Sequence, residues 1–107
     1  MASTKDYRDF IVGQLSEMND ITYKPMMGEY LLYYDGLLFG GIYDDRFLVK
    51  RTNTNKKYKM EEAIPYKGAK PMYLVDDVDD IDKLKNIVLD TCEGLKKWVS
   101  MNHFGIM

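Results

Sequence analysis

The sequence predicts an α+β fold: a two-layer antiparallel sheet with its helices on one face, in the order α-β-β-β-α-β-β-α. Three observations predict it. Residues 30–50 contain three runs of β-forming side chains joined by the two-residue links Asp35-Gly36 and Asp44-Asp45. Links this short force antiparallel pairing, because a parallel crossover takes about a dozen residues or more. Toward each end of the chain, over 4–18 and from Ile81 onward, apolar residues recur at helical spacing. The length of 107 residues, 46% of them apolar and 30% charged, suits a single domain, 1–107, with one core.

Taken in order, Ser3 is a good N-cap for the first helix, with Asp6 in the place of a capping-box acid. Tyr7, Phe10, Ile11, Leu15 and Met18 then form one apolar face, and Asn19-Asp20 marks the stop. Ile21-Thr22-Tyr23 reads as a short extended stretch, and Pro25 and Gly28 bracket a loop. Tyr30–Tyr34, Leu37–Tyr43 and Arg46–Lys50 make a three-stranded meander, and Asp35-Gly36 suits a hairpin turn because both residues tolerate positive φ. Tyr30, Leu32 and Tyr34 fall on one face and Leu31 and Tyr33 on the other, so both faces carry apolar bodies. Helices can cover one face; the other needs water at its tyrosine hydroxyls, a loop or a partner. Gly40-Gly41 within a strand predicts a bulge or a close backbone approach.

Thr52-Asn53-Thr54-Asn55 forms a turn and cap cluster ahead of a short helix over Lys56–Ala63. Met72–Val75 reads as a strand, with Ile64-Pro65-Tyr66 as its antiparallel neighbour. Asp79 or Asp80 caps a long last helix whose stripe is Ile81, Leu84, Val88, Thr91, Leu95, Trp98 and Val99. Lys96 and Lys97 suit the negative end of its dipole, and residues 102–107 are expected to fray. Gly94 costs about 1 kcal/mol relative to alanine in a helix, which points to a bend or a close contact there.

Composition narrows the chemistry. Cys92 is the single cysteine, so no intrachain disulfide forms. The charged start lacks an apolar signal segment, and no run approaches the ~18 apolar residues of a membrane span, which together imply a cytoplasmic protein without a membrane role. With one histidine, His103, and one cysteine, no zinc or iron–sulfur ligand set exists within the chain. The acidic run Asp76, Asp77, Asp79, Asp80, Asp82 does not fit a calcium loop: counted from Asp77, the glycine and glutamate positions hold Asp82 and Val88. Acids favoured at a helix N-terminus explain it better. Cys92 sits mid-helix beside the apolar stripe, as a buried structural thiol does, and His103 lies in the expected frayed tail, a poor place for a base. Glycine-rich phosphate loops are absent. The pairs Glu61-Glu62 and Asp44-Asp45 read as solvated turn acids. These observations assign no catalytic, cofactor-binding or metal-ligating residue and imply a chain that is not an enzyme.

Charge and aromatic content point instead to binding. Residues 46–70 hold eight basic side chains against two acids, about +6, which leaves about −8 elsewhere in a chain of net charge −2. Lys50, Arg51, Lys56, Lys57 and Lys59, with Tyr58 interleaved, form a candidate edge for nucleic-acid phosphates or for an acidic protein. The bland reading, a solvated charged loop, outweighs the nucleic-acid one. Nine tyrosines and eight methionines exceed what so small a core needs. Both types are enriched at interfaces, so Tyr33, Tyr43 and Ile42 are a candidate homodimer surface. A deep pocket lined by Tyr33, Tyr43 and acids would instead favour a small ligand or an unrecognised enzyme.

The run Pro25-Met26-Met27-Gly28-Glu29-Tyr30, then Tyr33-Tyr34-Asp35-Gly36-Leu37-Leu38-Phe39-Gly40-Gly41-Ile42-Tyr43-Asp44-Asp45-Arg46-Phe47-Leu48-Val49-Lys50, resembles the TfoX (Sxy) N-terminal domain family, and the likeness extends over nearly all the chain. Its signature here is Met27, Gly28, Gly36, Phe39, Gly40, Asp45 and Arg46. Many members have Phe-Gly-Gly where this chain has Met27-Gly28-Glu29, which marks a divergent branch. Full-length members regulate bacterial competence genes with the cyclic-AMP receptor protein and carry a second, C-terminal domain; this chain is expected to be a stand-alone N-terminal domain. The resemblance implies the fold, a regulatory or protein-interaction role and a bacterial cytoplasm. It implies no cofactor and no catalytic residues.

Overall fold

A computed structural model describes residues 3–106, with side chains described for residues 3–96. Helix α1 (Lys5–Gln14) leads into strands β1 (Ile21–Met26), β2 (Glu29–Tyr34), β3 (Leu37–Tyr43) and β4 (Arg46–Val49), then a single 3₁₀ turn (Lys56–Tyr58), β5 (Glu62–Ala63), β6 (Met72–Leu74) and helix α2 (Ile81–Ile106). The six strands form one antiparallel sheet in the order β1-β2-β3-β4-β6-β5. The α+β class, the antiparallel sheet and the helices on one face are as the sequence predicts.

Turn chemistry builds the first four strands. Three successive two-residue hairpin links have positive φ at both positions: Met27-Gly28 (51°, 85°), Asp35-Gly36 (50°, 78°) and Asp44-Asp45 (54°, 54°). That geometry matches the right-handed twist of the flanking strands. The first hairpin departs from the sequence reading, which placed a loop around Pro25. Pro25 instead sits inside β1, paired with Tyr30. It is tolerated because β1 is an edge strand, where a missing N–H breaks no ladder bond on its outer side.

The middle of β3 carries both features predicted from Gly40-Gly41. Leu32 pairs with Gly40 and Tyr33 with Leu38, so Phe39 is the extra residue of a bulge. A Cβ on Gly40 would collide with the Leu48 carbonyl oxygen and lie 2.9 Å from Val49 Cα. A Cβ on Gly41 would lie 2.7 Å from the Tyr30 carbonyl oxygen and from the Tyr43 ring, which lies over this glycine.

The core lies between the sheet and both helices. Ile11, Leu15 and Met18 from α1 and its following turn, and Leu84, Ile87, Val88 and Cys92 from α2, enclose Leu32, Phe39, Ile42, Phe47 and Val49. Each fully enclosed side chain contributes about 1.5–3 kcal/mol. Phe39 and Phe47 meet edge to face at 6.5 Å. The stripe positions Phe10 and Ile81 stay 40% and 39% exposed, so each helix buries a narrower face than its spacing suggests.

Capping shifts by one residue at the N-terminus: Thr4, not Ser3, caps α1, accepting from the Tyr7 amide at 3.1 Å. Ser3 is used elsewhere, as described below. Asp80 caps α2 through the Lys83 amide. That helix continues to Ile106 rather than fraying from residue 102, so Lys96 and Lys97 fall well inside it. The side chains of Lys97, Trp98, Val99 and His103 lie outside the described residues.

The expected helix over Lys56–Ala63 is replaced by one 3₁₀ turn ended by Lys59 in the left-handed region, and the partner of β6 is Glu62–Ala63 rather than Ile64–Tyr66. Asn55 explains the short turn. Its fully buried side chain accepts from the Thr52 amide and donates to the Lys50 carbonyl and the Thr91 hydroxyl, both at 2.8 Å. It therefore closes the loop on itself and ties it to α2. Gly94 admits the loop: a Cβ there would run into Thr52 and Thr54. Gly94 is a close contact.

Candidate functional site

Alternation along β2–β4 sends Leu31, Leu38, Gly41, Tyr43 and Leu48 to the side of the sheet away from both helices. Half of that side is roofed by the chain itself. Arg46 donates from Nε to the Tyr43 carbonyl and from Nη2 to the Ile64 carbonyl, drawing residues 64–71 over β3 and β4. Leu48 is fully buried on this side and Tyr43 only 5% exposed, with the Tyr66 ring of this segment 6.2 Å from that of Tyr43. Burial, then the neighbouring Tyr66, raises the Tyr43 phenol above its ordinary range.

The other half is open. A broad groove of about 1240 Å³ runs from it past the Thr52–Thr54 loop to Gly94 and Leu95 of α2, with Met26, Leu31, Leu38, Pro65, Pro71 and Met72 among its apolar walls. Lys50, Arg51, Lys56 and Lys70 stand around it, and among the described residues no acidic side chain lines it. Arg51 reaches Glu62 at 3.1 Å; among the described residues no ion pair holds Lys50, Lys56 or Lys70. The loop that carries these cations is fixed to α2 by the Asn55 bonds, by Thr54 Oγ1 donating to the Asp90 carbonyl, and by a trio on Asp90: the Tyr58 hydroxyl donates to its carboxylate, which Lys57 Nζ approaches to 3.1 Å. The Tyr58 bond, aided by Lys57, lowers the Asp90 carboxyl, while burial and Asp90 push the Tyr58 phenol up to about 12.

Of the basic residues named from sequence, the fold therefore brings Lys50, Arg51 and Lys56 to the groove and adds Lys70. Lys57 turns to Asp90, and Lys59, exposed at the end of the 3₁₀ turn, is not among the lining residues. The candidate dimer surface of Tyr33, Tyr43 and Ile42 is corrected. Ile42 pairs with Tyr30 and Phe47 on the helix side and is fully buried, and Tyr43 lies under residues 64–71. Only half-buried Tyr33 remains on that surface. No sequence signal pointed to Leu31, Leu38 and the 64–71 segment as parts of one groove, because their approach depends on Arg46 reaching a backbone carbonyl eighteen residues away.

The signature positions acquire structural roles. Met27-Gly28, Gly36 and Asp45 shape hairpin links, Phe39 fills the core, Gly40 permits strand contact and Arg46 holds the roof. Asp45 does a second job with Glu29: the Thr4 amide donates to Asp45 Oδ1 at 2.8 Å, the Ser3 amide and hydroxyl donate to Glu29 Oε1, and the Asp45 amide donates to Ser3 Oγ. The start of α1 is thus clamped against two hairpin turns.

Groups with reactive potential lie elsewhere or are shielded. Cys92 is 2% exposed, and burial pushes its thiol up to about 11. Among the described residues no group of three or more His, Cys, Asp or Glu is placed to hold a metal ion, and no helix is long and apolar enough to cross a membrane.

The TfoX N-terminal domain family matches residues 13–100. A relative from Spirochaeta aurantia, described as an uncharacterized 12.7 kDa protein in the trpE 5′ region, is 35% identical over 98 residues, covering 89% of this chain and 85% of the relative. No solved structure matches. The chain belongs to the TfoX N-terminal domain family.

Proposed function

Starting from that membership, we propose that the chain is a non-enzymatic regulatory or protein-interaction module of the bacterial cytoplasm whose working surface is the helix-free side of the sheet. The observation that carries this reading is the groove: apolar walls left open beside a core that is otherwise enclosed, with four cations around them. Leu31 and Leu38 keep part of their surface exposed in the middle of the sheet, where a partner's side chains can cover them. The shielded Cys92 thiol fits the same reading, since a nucleophilic cysteine needs an accessible thiolate.

The test compares affinity capture from the native cell by three forms of the protein: wild type, Leu38→Arg in the groove, and Phe10→Arg on the exposed side of α1. A partner retained by wild type and Phe10→Arg but lost by Leu38→Arg supports the reading. Equal capture by all three removes it. Direct nucleic-acid binding is the second reading, favoured by the gathering of Lys50, Arg51, Lys56 and Lys70. Binding to random duplex would then fall steeply with salt and vanish in Lys50→Glu/Lys56→Glu.

A further inference from the structure

We infer that the groove's occupant is an acidic segment of a partner protein, a peptide that sets apolar anchors on the sheet and carboxylates against the surrounding lysines. The inference rests on the reading that the helix-free face is the working surface, and adds the chemistry of what lies there. Three features select that chemistry. The first is charge: Lys50, Arg51, Lys56 and Lys70 face the groove with no described acid lining it, although the whole chain is net negative at −2. Among the described acids Glu62 meets one of the four, Arg51, at 3.1 Å and leaves the three lysines without an ion pair among the described residues, while Glu29 and Asp45 are used on the start of α1 and Asp90 on Tyr58 and Lys57. An anionic ligand meets complementary potential here, and a basic one meets repulsion.

The second is the nature of the walls. Met26, Leu31, Leu38 and Met72 are flexible aliphatic bodies, suited to aliphatic or aromatic side chains of a peptide. Stacking of unpaired bases calls for exposed aromatic platforms. Among the described lining residues Tyr43 is buried and Tyr73 part-buried, which leaves Tyr66, 58% exposed, as the one open ring, too few for a run of stacked bases, and this disfavours single-stranded nucleic acid. The third is size: about 1240 Å³ exceeds the roughly 300–1,000 Å³ of small-ligand pockets. A second copy of the chain is a poorer fit, because a two-fold contact through this face would set its four cations against their own duplicates.

The test is a selection. A display library of random peptides of about 16 residues, about 24 Å long if helical, is panned on the wild-type protein, and the recovered peptides are measured by fluorescence anisotropy. The expected result is enrichment of Asp and Glu around Leu, Ile, Phe or Trp anchors, with binding weakened about tenfold or more by Lys50→Glu/Lys70→Glu and by raising salt from about 0.05 to 0.5 M. Both substitutions lie on the surface and leave the core untouched. Enrichment of neutral or basic peptides that still lose binding in Leu31→Arg overturns the acidic occupant and leaves the helix-free face standing. Peptides indifferent to Leu31→Arg, Leu38→Arg and the double reversal overturn both. Displacement of the selected peptides by a single-stranded 20-nucleotide oligo-dT that itself binds more tightly than any of them overturns the inference in favour of nucleic acid.

Discussion

On the helix side of the sheet Leu32, Phe39, Ile42, Phe47 and Val49 are fully enclosed, whereas on the other side Leu31 and Leu38, neighbours in the same strands, are only half-buried. The side chains differ little in character. The coverings differ: two amphipathic helices seal the first face with apolar contacts, while the second is half roofed by an irregular segment that Arg46 holds at the Ile64 carbonyl, beside a loop that Asn55 and Tyr58 tie to α2. Apolar packing over a continuous area produces the stable side. Discrete hydrogen bonds from charged and polar groups produce a surface with a fixed outline and an unfilled interior. A binding surface of that kind is defined without being closed, because each tether fixes a position while covering little area.

The comparison predicts unequal costs. Phe47→Ala should destabilise the protein by about 3–5 kcal/mol in urea unfolding, the cost of an aromatic cavity in a core, while Leu38→Ala on the groove should cost about 1 kcal/mol or less. Similar losses at the two positions would break the distinction between the faces. Next in size, Asn55→Ala should cost about 2–3 kcal/mol, because it removes the partner of the Thr52 amide, the Lys50 carbonyl and the buried Thr91 hydroxyl at once. Hydrogen exchange should then accelerate across residues 50–58 more than in β2–β4.

Tyr58→Phe should cost about 1–2 kcal/mol at neutral pH and alter both pH limbs. The Asp90 carboxyl is lowered in the folded state, first by the Tyr58 hydroxyl, so its contribution is present above the unfolded value of about 4 and lost as pH falls through the folded one. The Tyr58 phenol is raised to about 12, so its contribution is complete below about pH 10 and lost as pH rises toward 12. The variant should show a shallower loss at both ends; an unchanged stability–pH curve would remove the trio from the tether. Smallest, Arg46→Ala should cost about 1 kcal/mol overall yet raise the solvent exposure of Tyr43, read by iodide quenching of tyrosine fluorescence in variants that retain or lack Tyr43. Without that change in exposure, Arg46 is not what holds the roof.

Legibility in the sequence followed the range of the interactions. The Asp35-Gly36 and Asp44-Asp45 turns, the meander they join and the Gly40-Gly41 bulge are set by residues within a few positions of one another, and they read directly. Met27-Gly28 was hidden by Pro25, whose veto on strands lapses at a sheet edge. Lys56–Ala63 has helical composition, but the Asn55 side chain captured partners at Lys50 and at Thr91, thirty-six residues away. Within the candidate site, Lys50, Arg51 and Lys56 were visible as charge; Lys70, Leu31 and Leu38 were not visible as their companions.

By itself the sequence determined the α+β class, the antiparallel hairpins and the segregation of basic charge into the middle of the chain, because turn propensity, side-chain periodicity and formal charge are local properties. Tertiary structure alone decided which cations keep their charge free and which are drawn into pairs, that Ile42 faces the helices, and that one half of the second sheet face stays open. Those outcomes depend on where polar groups far apart in the chain meet, and the free energy of such a meeting depends on burial and geometry that exist only once the sheet and helices are assembled.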